Sequence, residues 1–123
     1  MADTILGITM GDSSGVGPEI LLKSYAAAQI RWPALVFGDL AVLEYCNELL
    51  GYGVELRSVE SPKEMQEGCL NVRDFGLMRK EDLTPGKINQ KSGAAAREYV
   101  IAATEAALAG DIAAVVTLPI NKA

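Results

Sequence analysis

The stretch from Thr9 to Ile20 constrains this chain more than any other. An apolar run, Ile5 to Ile8, leads into it, and an apolar-periodic run, Ile20 to Ala28, leads out. Between them stand Gly11, Gly15 and Gly17, followed by Pro18 where a helix would begin. The pattern is that of a strand, a tight glycine loop and a helix N-terminus. Proline suits a first helical turn, because its φ is already helical and its missing N–H would have been unpaired there. Glycines let the backbone turn sharply and approach a ligand closely. Glu19 in the first turn suits the positive end of the helix dipole.

A loop of this kind invites comparison with the two standard nucleotide motifs. The phosphate-binding G-x-x-x-x-G-K-[ST] pattern fails, because Val16 stands where its second glycine belongs and no lysine follows. The dinucleotide fingerprint G-x-G-x-x-G fails as well: Gly15 and Gly17 supply the first half, but Ile20 replaces the third glycine. Asp12 argues against a phosphate resting in the loop, since like charges repel, and suits a hydroxyl, an ammonium or a metal better. The plainer reading is a strand-to-helix turn whose glycines serve geometry alone.

The chain has 123 residues, enough for one small domain, and half are apolar, so a globular core is expected. Its net charge of -5 disfavours nucleic acid and anionic membrane surfaces as partners. No apolar run approaches the roughly 18 residues of a spanning helix. No basic region precedes the first apolar run, as a signal peptide would require. Cys46 and Cys69 stand far apart and in no motif, so they read as reduced, partly buried thiols of a cytoplasmic protein. The absence of histidine excludes an imidazole base, an imidazole metal ligand and a Ser-His-Asp triad built from this chain alone.

Strands and helices alternate. Strands are expected at Leu6–Thr9, Ala34–Phe37, Val54 to about Val59, Leu70–Phe75 and Ile112–Leu118. Helices are expected over residues 18–29, 40–50 and 93–109, the last rich in alanine. Asp39 is placed to cap the second helix, whose buried stripe reads as Leu40, Leu43, Cys46 or Asn47, and Leu50. Gly51 stands where a left-handed cap belongs. Ser92 or Asn89 would cap the third helix, and Pro85-Gly86 makes a turn within a polar connection. The third strand alternates apolar and charged residues, as at a sheet edge, whereas the nearly unbroken apolar run from Ile112 reads as a central strand.

The expected topology is therefore built of right-handed βαβ units around a parallel sheet. Ligands of such sheets sit beyond the carboxyl ends of the strands. The glycine loop lies at that rim, and so does Leu118-Pro119-Ile120-Asn121-Lys122. Lys122 is suited to a phosphate or carboxylate and Asn121 to a hydroxyl or amide. The plainer alternative is a solvated lysine and an asparagine capping a further helix. The run ends at Ala123 just after a strand that a helix should cover, so the chain is expected to be the N-terminal part of a longer protein.

Residues Ile5 to Ile20 resemble the opening of the 4-hydroxythreonine-4-phosphate dehydrogenase family of pyridoxal phosphate biosynthesis, whose pattern is close to I-T-M-G-D-P-A-G-I-G-P-E. Val116 to Ala123 resembles that family's T-x-P-x-N-K segment, and Gly86-Lys87, Ser92-Gly93, the alanine-rich helix and Gly110-Asp111 follow the family's order. Ser13-Ser14 departs from the family's Pro-Ala. The resemblance covers the whole chain but only about the first third of a family member. A shorter glycine motif opens the isocitrate and isopropylmalate dehydrogenases too.

The resemblance implies an α/β fold: a three-layer parallel or mixed sheet with flanking helices, like that of isocitrate and isopropylmalate dehydrogenases, truncated here. Residues 1–123 would form the N-terminal part of a two-domain enzyme. It implies NAD- or NADP-dependent oxidation, with decarboxylation, of a phosphorylated four-carbon hydroxy acid such as 4-phosphooxy-threonine, phospho-threonate or phospho-erythronate. In that picture Gly11, Asp12, Gly15, Gly17 and Glu19 shape the cofactor cleft, and Asn121 and Lys122 lie toward the substrate. The family's divalent metal (Zn, Mg or Co) is held by histidines that this sequence lacks, no general base is evident, and the whole enzyme would be a cytoplasmic homodimer. The competing readings are a non-catalytic α/β nucleotide-binding module and an isocitrate-type decarboxylating dehydrogenase. A receiver-like module is disfavoured, since Val59-Glu60-Ser61-Pro62 offers no aspartate at the end of the third strand.

Overall fold

A computed structural model describes residues 4–30, 32–84 and 90–118. Its strands are β1 (Leu6–Thr9), β2 (Ala34–Gly38), β3 (Leu56–Ser58), β4 (Leu70–Asp74) and β5 (Ala114–Thr117). Its helices are α1 (Gly17–Ala26), α2 (Leu40–Leu50) and α3 (Gln90–Leu108). The strands form one sheet in the order β3-β4-β2-β1-β5, and every described pairing is parallel. Parallel neighbours need crossover connections, and the helices supply three of them. Helix α3 lies across β1, β2 and β5, while α2 packs on β3, β4 and α1. With right-handed crossovers, α1 and α2 cover one face and α3 the other, giving three layers.

The core follows from register. Ile8, Val36 and Val72 stand opposite one another on adjacent strands and are buried. Leu21, Leu22, Val42 and Leu43 are the buried helical residues of α1 and α2. Beneath α3, the rings of Phe37, Phe75 and Tyr99 pack in series, with centroids 6.4 and 5.4 Å apart. Ala95, Ala96 and Ala103 are buried on the same helix, and their small side chains let α3 lie close to the sheet.

Two expectations need correction. The apolar strand near the end of the chain, β5, stands at the edge of the sheet formed by the described residues: β1 is its one described neighbour, and Ala114, Val116 and Thr117 are exposed. An apolar sequence reports that a strand is to be covered, not where in the order it stands. The buried stripe of α2 is also shifted: Val42 and Leu43 are buried, Leu40 and Cys46 half-buried, and Leu50 exposed. That rotation follows from α2 resting on both β4 and α1 rather than on the sheet alone.

Gly51 does end α2 in the left-handed region, at φ 71°. Beyond it, Asn47 fixes the return to β3. Its side-chain amide donates to the Val54 carbonyl at 2.7 Å, and its carbonyl accepts from the Val54 N–H at 3.1 Å. Asn47→Ala removes both bonds and is expected to cost about 1–3 kcal/mol, measured by urea denaturation. Asn47→Asp should not restore the loss, because it would set a carboxylate oxygen against the Val54 carbonyl.

Candidate functional site

The site begins with the register of β1. Thr9 stands opposite Phe37 on one side and Thr117 on the other. One residue on, Met10 N–H donates to the Phe37 carbonyl at 3.0 Å, and Leu118 N–H donates to the Thr9 carbonyl at 3.3 Å. The chain thus leaves β1 and β5 side by side at one carboxyl edge. From β1 it runs to α1 on one face; α3, on the opposite face, leads into β5. This is a switch point of a doubly wound sheet, where crevices for ligands form.

The loop after β1 is held by its own backbone. Gly11 turns it at φ 77°, a conformation that favours glycine. Asp12 closes the next turn: its carbonyl accepts from Gly15 N–H at 3.0 Å and its Oδ1 from Ser14 N–H at 2.8 Å. Gly17 then passes so near the strand that a Cβ there would stand 2.1 Å from the Met10 carbonyl oxygen and 3.6 Å from the Leu118 Cβ. Pro18 occupies the first turn of α1, and no side chain caps that helix.

Of the residues predicted to line a cleft, Gly11, Asp12 and Gly17 are buried, Gly15 is half-buried and Glu19 is exposed. Asn121 and Lys122 lie outside the described residues, as do Asn89 and the Pro85-Gly86 turn. Leu118, the last described residue before Asn121 and Lys122, is beside Gly17.

Sequence reasoning missed the polar frame behind the loop. Asp39 follows β2 at the position expected to cap α2, yet its side chain makes no cap. It accepts from Tyr99 Oη–H and, at 2.6 Å, from the Leu77 N–H. Asp74, from the neighbouring β4, takes the Leu40 N–H instead at 3.1 Å. Ser14 Oγ pairs with Ser92 Oγ at 3.0 Å and accepts from Thr84 N–H at 2.9 Å, tying the loop to α3. Ser92 was expected as a helix cap; it lies buried inside the first turn of α3. The available signal was Tyr99 itself, the one large polar-tipped side chain on a face of alanines.

Burial pushes the Asp39 carboxyl up, against hydrogen bonds from Tyr99 and the Leu77 and Met78 amides that pull it down. Burial and then Asp39 push the Tyr99 phenol far up, so it is a fixed donor at any ordinary pH. Because the folded Asp39 holds its proton more tightly than the unfolded chain does, its contribution to stability falls as pH rises from the ordinary carboxylate value through the raised folded one.

Among the described residues no three His, Cys, Asp or Glu side chains gather into a metal site. The ligand set for a divalent metal is therefore not met by these residues. A groove of about 470 Å³ opens at the opposite, amino edge of the sheet, lined by Tyr25, Trp32, Met65 and Cys69. It lies away from the switch point, and its size alone does not make it the site.

Two substitutions test this frame. Tyr99→Phe is expected to cost about 1.5–3 kcal/mol at neutral pH and less near about pH 4, since the bond it removes serves the ionised Asp39. Gly17→Ala is expected to cost about 1–3 kcal/mol through overpacking against the Met10 carbonyl. Urea denaturation of each variant at the two pH values checks both.

The model of the family described as pyridoxal phosphate biosynthetic protein PdxA matches residues 31–123, which leaves the glycine loop outside the matched region. Individual relatives include that loop. D-threonate 4-phosphate dehydrogenase of Cupriavidus necator is 38% identical over 122 residues, covering 96% of this chain and 36% of the relative. 4-Hydroxythreonine-4-phosphate dehydrogenase of Beijerinckia indica is 35% identical, covering 99% and 36%. The crystal structure of 4-hydroxythreonine-4-phosphate dehydrogenase from Klebsiella pneumoniae superposes with a TM-score of 0.89 at 35% identity, over 98% of this chain and 38% of that one. A terephthalate 1,2-cis-dihydrodiol dehydrogenase from Burkholderia xenovorans superposes at 0.76 with 30% identity, over 97% and 35%. The chain thus spans little more than a third of the length of these relatives, and within that span it belongs to the PdxA family.

Proposed function

We propose that this chain builds one wall of the nicotinamide-cofactor cleft of a dehydrogenase. Residues 1–123 would be the N-terminal part of a two-domain, homodimeric, cytoplasmic enzyme that binds NAD or NADP. Its substrate would be a phosphorylated four-carbon hydroxy acid of the D-threonate 4-phosphate or 4-hydroxythreonine-4-phosphate kind, oxidised with decarboxylation. The observation that supports this reading is the parallel pairing of β1 with β5, which brings the glycine loop and Leu118 to one switch point. Family membership supports it.

Each residue then has a part. Gly11 and Gly17 let the loop fold flat against the end of β1, so that the first turn of α1 borders the crevice. No side chain caps that turn, which leaves its N–H groups for acceptor oxygens of a ligand. Gly15 and Glu19 form the outer lip, and Asp12 backs the loop from inside. No Lys or Arg occurs between Met10 and Ile20, so this wall suits a hydroxyl or amide portion of the cofactor better than its diphosphate. Asn121 and Lys122, following β5, would face the phosphorylated acid. When bound, nicotinamide supplies a hydride acceptor for the carbinol carbon. The divalent metal implied by the family finds no ligand set among the described residues, and the sequence has no histidine, so its ligands belong elsewhere in the enzyme.

Calorimetric titration of the chain with NAD+, NADP+ and ATP, beside a dehydrogenase assay with added Mg2+ or Zn2+, tests the reading. Weak binding of a nicotinamide dinucleotide without turnover is expected, weakened about tenfold or more by Gly17→Ala. Binding of ATP with none of NAD+ or NADP+ would mark a non-catalytic nucleotide module instead. Substantial turnover would contradict the division of the reacting groups.

A further inference from the structure

The glycine loop has little of its own to fix its shape. Residues 11–17 include Gly11, Gly15 and Gly17 and no proline, so the backbone has many conformations open to it. Asp12 accepts from the Ser14 and Gly15 N–H groups, which closes one turn but ties it to no other element. The ties come from α3. Ser92 and Tyr99 are both buried and stand seven residues apart, so they share one face of that helix about two turns from each other. Ser92 Oγ pairs with Ser14 Oγ at 3.0 Å. The buried Ser13 hydroxyl bonds to the Tyr99 phenol.

The Tyr99 oxygen is the fixed point of this arrangement. Its ring packs on Phe75 with centroids 5.4 Å apart, and the residue is fully buried. Its proton is committed to Asp39 Oδ2, while Asp39 Oδ1 takes the Leu77 N–H at 2.6 Å, so the acceptor is itself held from a further segment. A phenol has one proton to give. With that proton on Asp39, Tyr99 meets Ser13 as an acceptor, and the Ser13 O–H points at it. One directed series therefore runs from Ser13 through Tyr99 to Asp39, joining the glycine loop to α3 and to the end of β2. Buried hydrogen bonds in such a series polarise and strengthen one another. The Ser14–Ser92 pair has no such fixed direction, since either oxygen can be its donor.

We propose that Tyr99 is a positioning residue for the ligand-binding shape of the glycine loop, acting through Ser13 and held in place by Asp39. What the loop binds rests on the cofactor-cleft reading above; how the loop is held does not. Hydrogen exchange of the ligand-free chain tests the holding, read at the Ser14 and Gly15 amides that bond to Asp12. Asn47→Ala is the control, because its loss of stability is of the same order and Asn47 lies at the end of α2 remote from Asp39. Tyr99→Phe and Ser13→Ala should each exchange the two amides about tenfold or more faster than Asn47→Ala does. The double variant should exchange them no faster than Tyr99→Phe alone, because Ser13 acts through the phenol. Titration with NAD+ and NADP+ reads the consequence: both variants should weaken dinucleotide binding about fivefold or more, and Asn47→Ala should leave it unchanged. A loop difference in a chain that binds neither dinucleotide supports the positioning role and contradicts the cofactor reading instead. Should Tyr99→Phe not fold, Ser13→Ala decides by the same comparison. Exchange in either folded variant no faster than in Asn47→Ala overturns the proposal, as do losses that add in the double variant or dinucleotide binding that neither substitution weakens.

Discussion

The backbone of Gly17 lies directly against the Met10 carbonyl, and the arrangement of the rim depends on that contact. A side chain at Gly17 would push the start of α1 away from β1. The loop would then no longer turn within the width of a strand, and the first turn of α1 would leave the neighbourhood of Leu118. Because β1 is hydrogen-bonded to β2 on one side and β5 on the other, the position of this one loop fixes the geometry of the whole carboxyl edge.

The edge is secured by polar ties between elements far apart in sequence. Asp39 joins β2 to α3 and to the segment after β4, Asp74 joins β4 to the start of α2, and Ser14 joins the glycine loop to α3. Each tie is at least partly buried, where a hydrogen bond is electrostatically stronger than in water and an unmet group is expensive. Fully satisfied groups of this kind specify one arrangement of the rim. The apolar contacts beneath them, such as Ile8 with Val36 and Val72, favour any close-packed sheet. Thr9 Oγ1 and Asp12 Oδ2, at the end of β1 and in the loop that follows it, are buried without a protein partner and are the exception to that satisfaction.

Much of this was legible in the sequence for reasons that are local. The strand, glycine loop and helix of residues 6–26 carry their geometry in residue type: alternating burial, Gly11 at positive φ, Pro18 in the first turn. The limits of α2 were legible too, because Gly51 has one good use after a helix. The place of β5 was not, since an apolar run records burial on its faces and not the order of strands. Nor was the role of Asp39. Position alone suggested a cap, but the Tyr99 hydroxyl, sixty residues away, and the Leu77 amide are stronger claims on its oxygens, and Asp74 was free to take over the cap. The glycine loop and the end of β5 could be placed at one rim from topology alone, whereas the burial of Asp12 needed the packing of α3 over the loop.

The central proposal is that the glycine loop and the end of β5 at Leu118 form one ligand-binding wall at the switch point between β1 and β5. Amide chemical-shift mapping during titration with NAD+ or NADP+ tests it most directly. The account predicts concerted shifts at Gly11, Gly15, Gly17 and Leu118, with the amino-edge groove around Trp32 and Met65 unmoved. Shifts gathered in that groove, or a glycine loop that does not respond while Leu118 does, would contradict it.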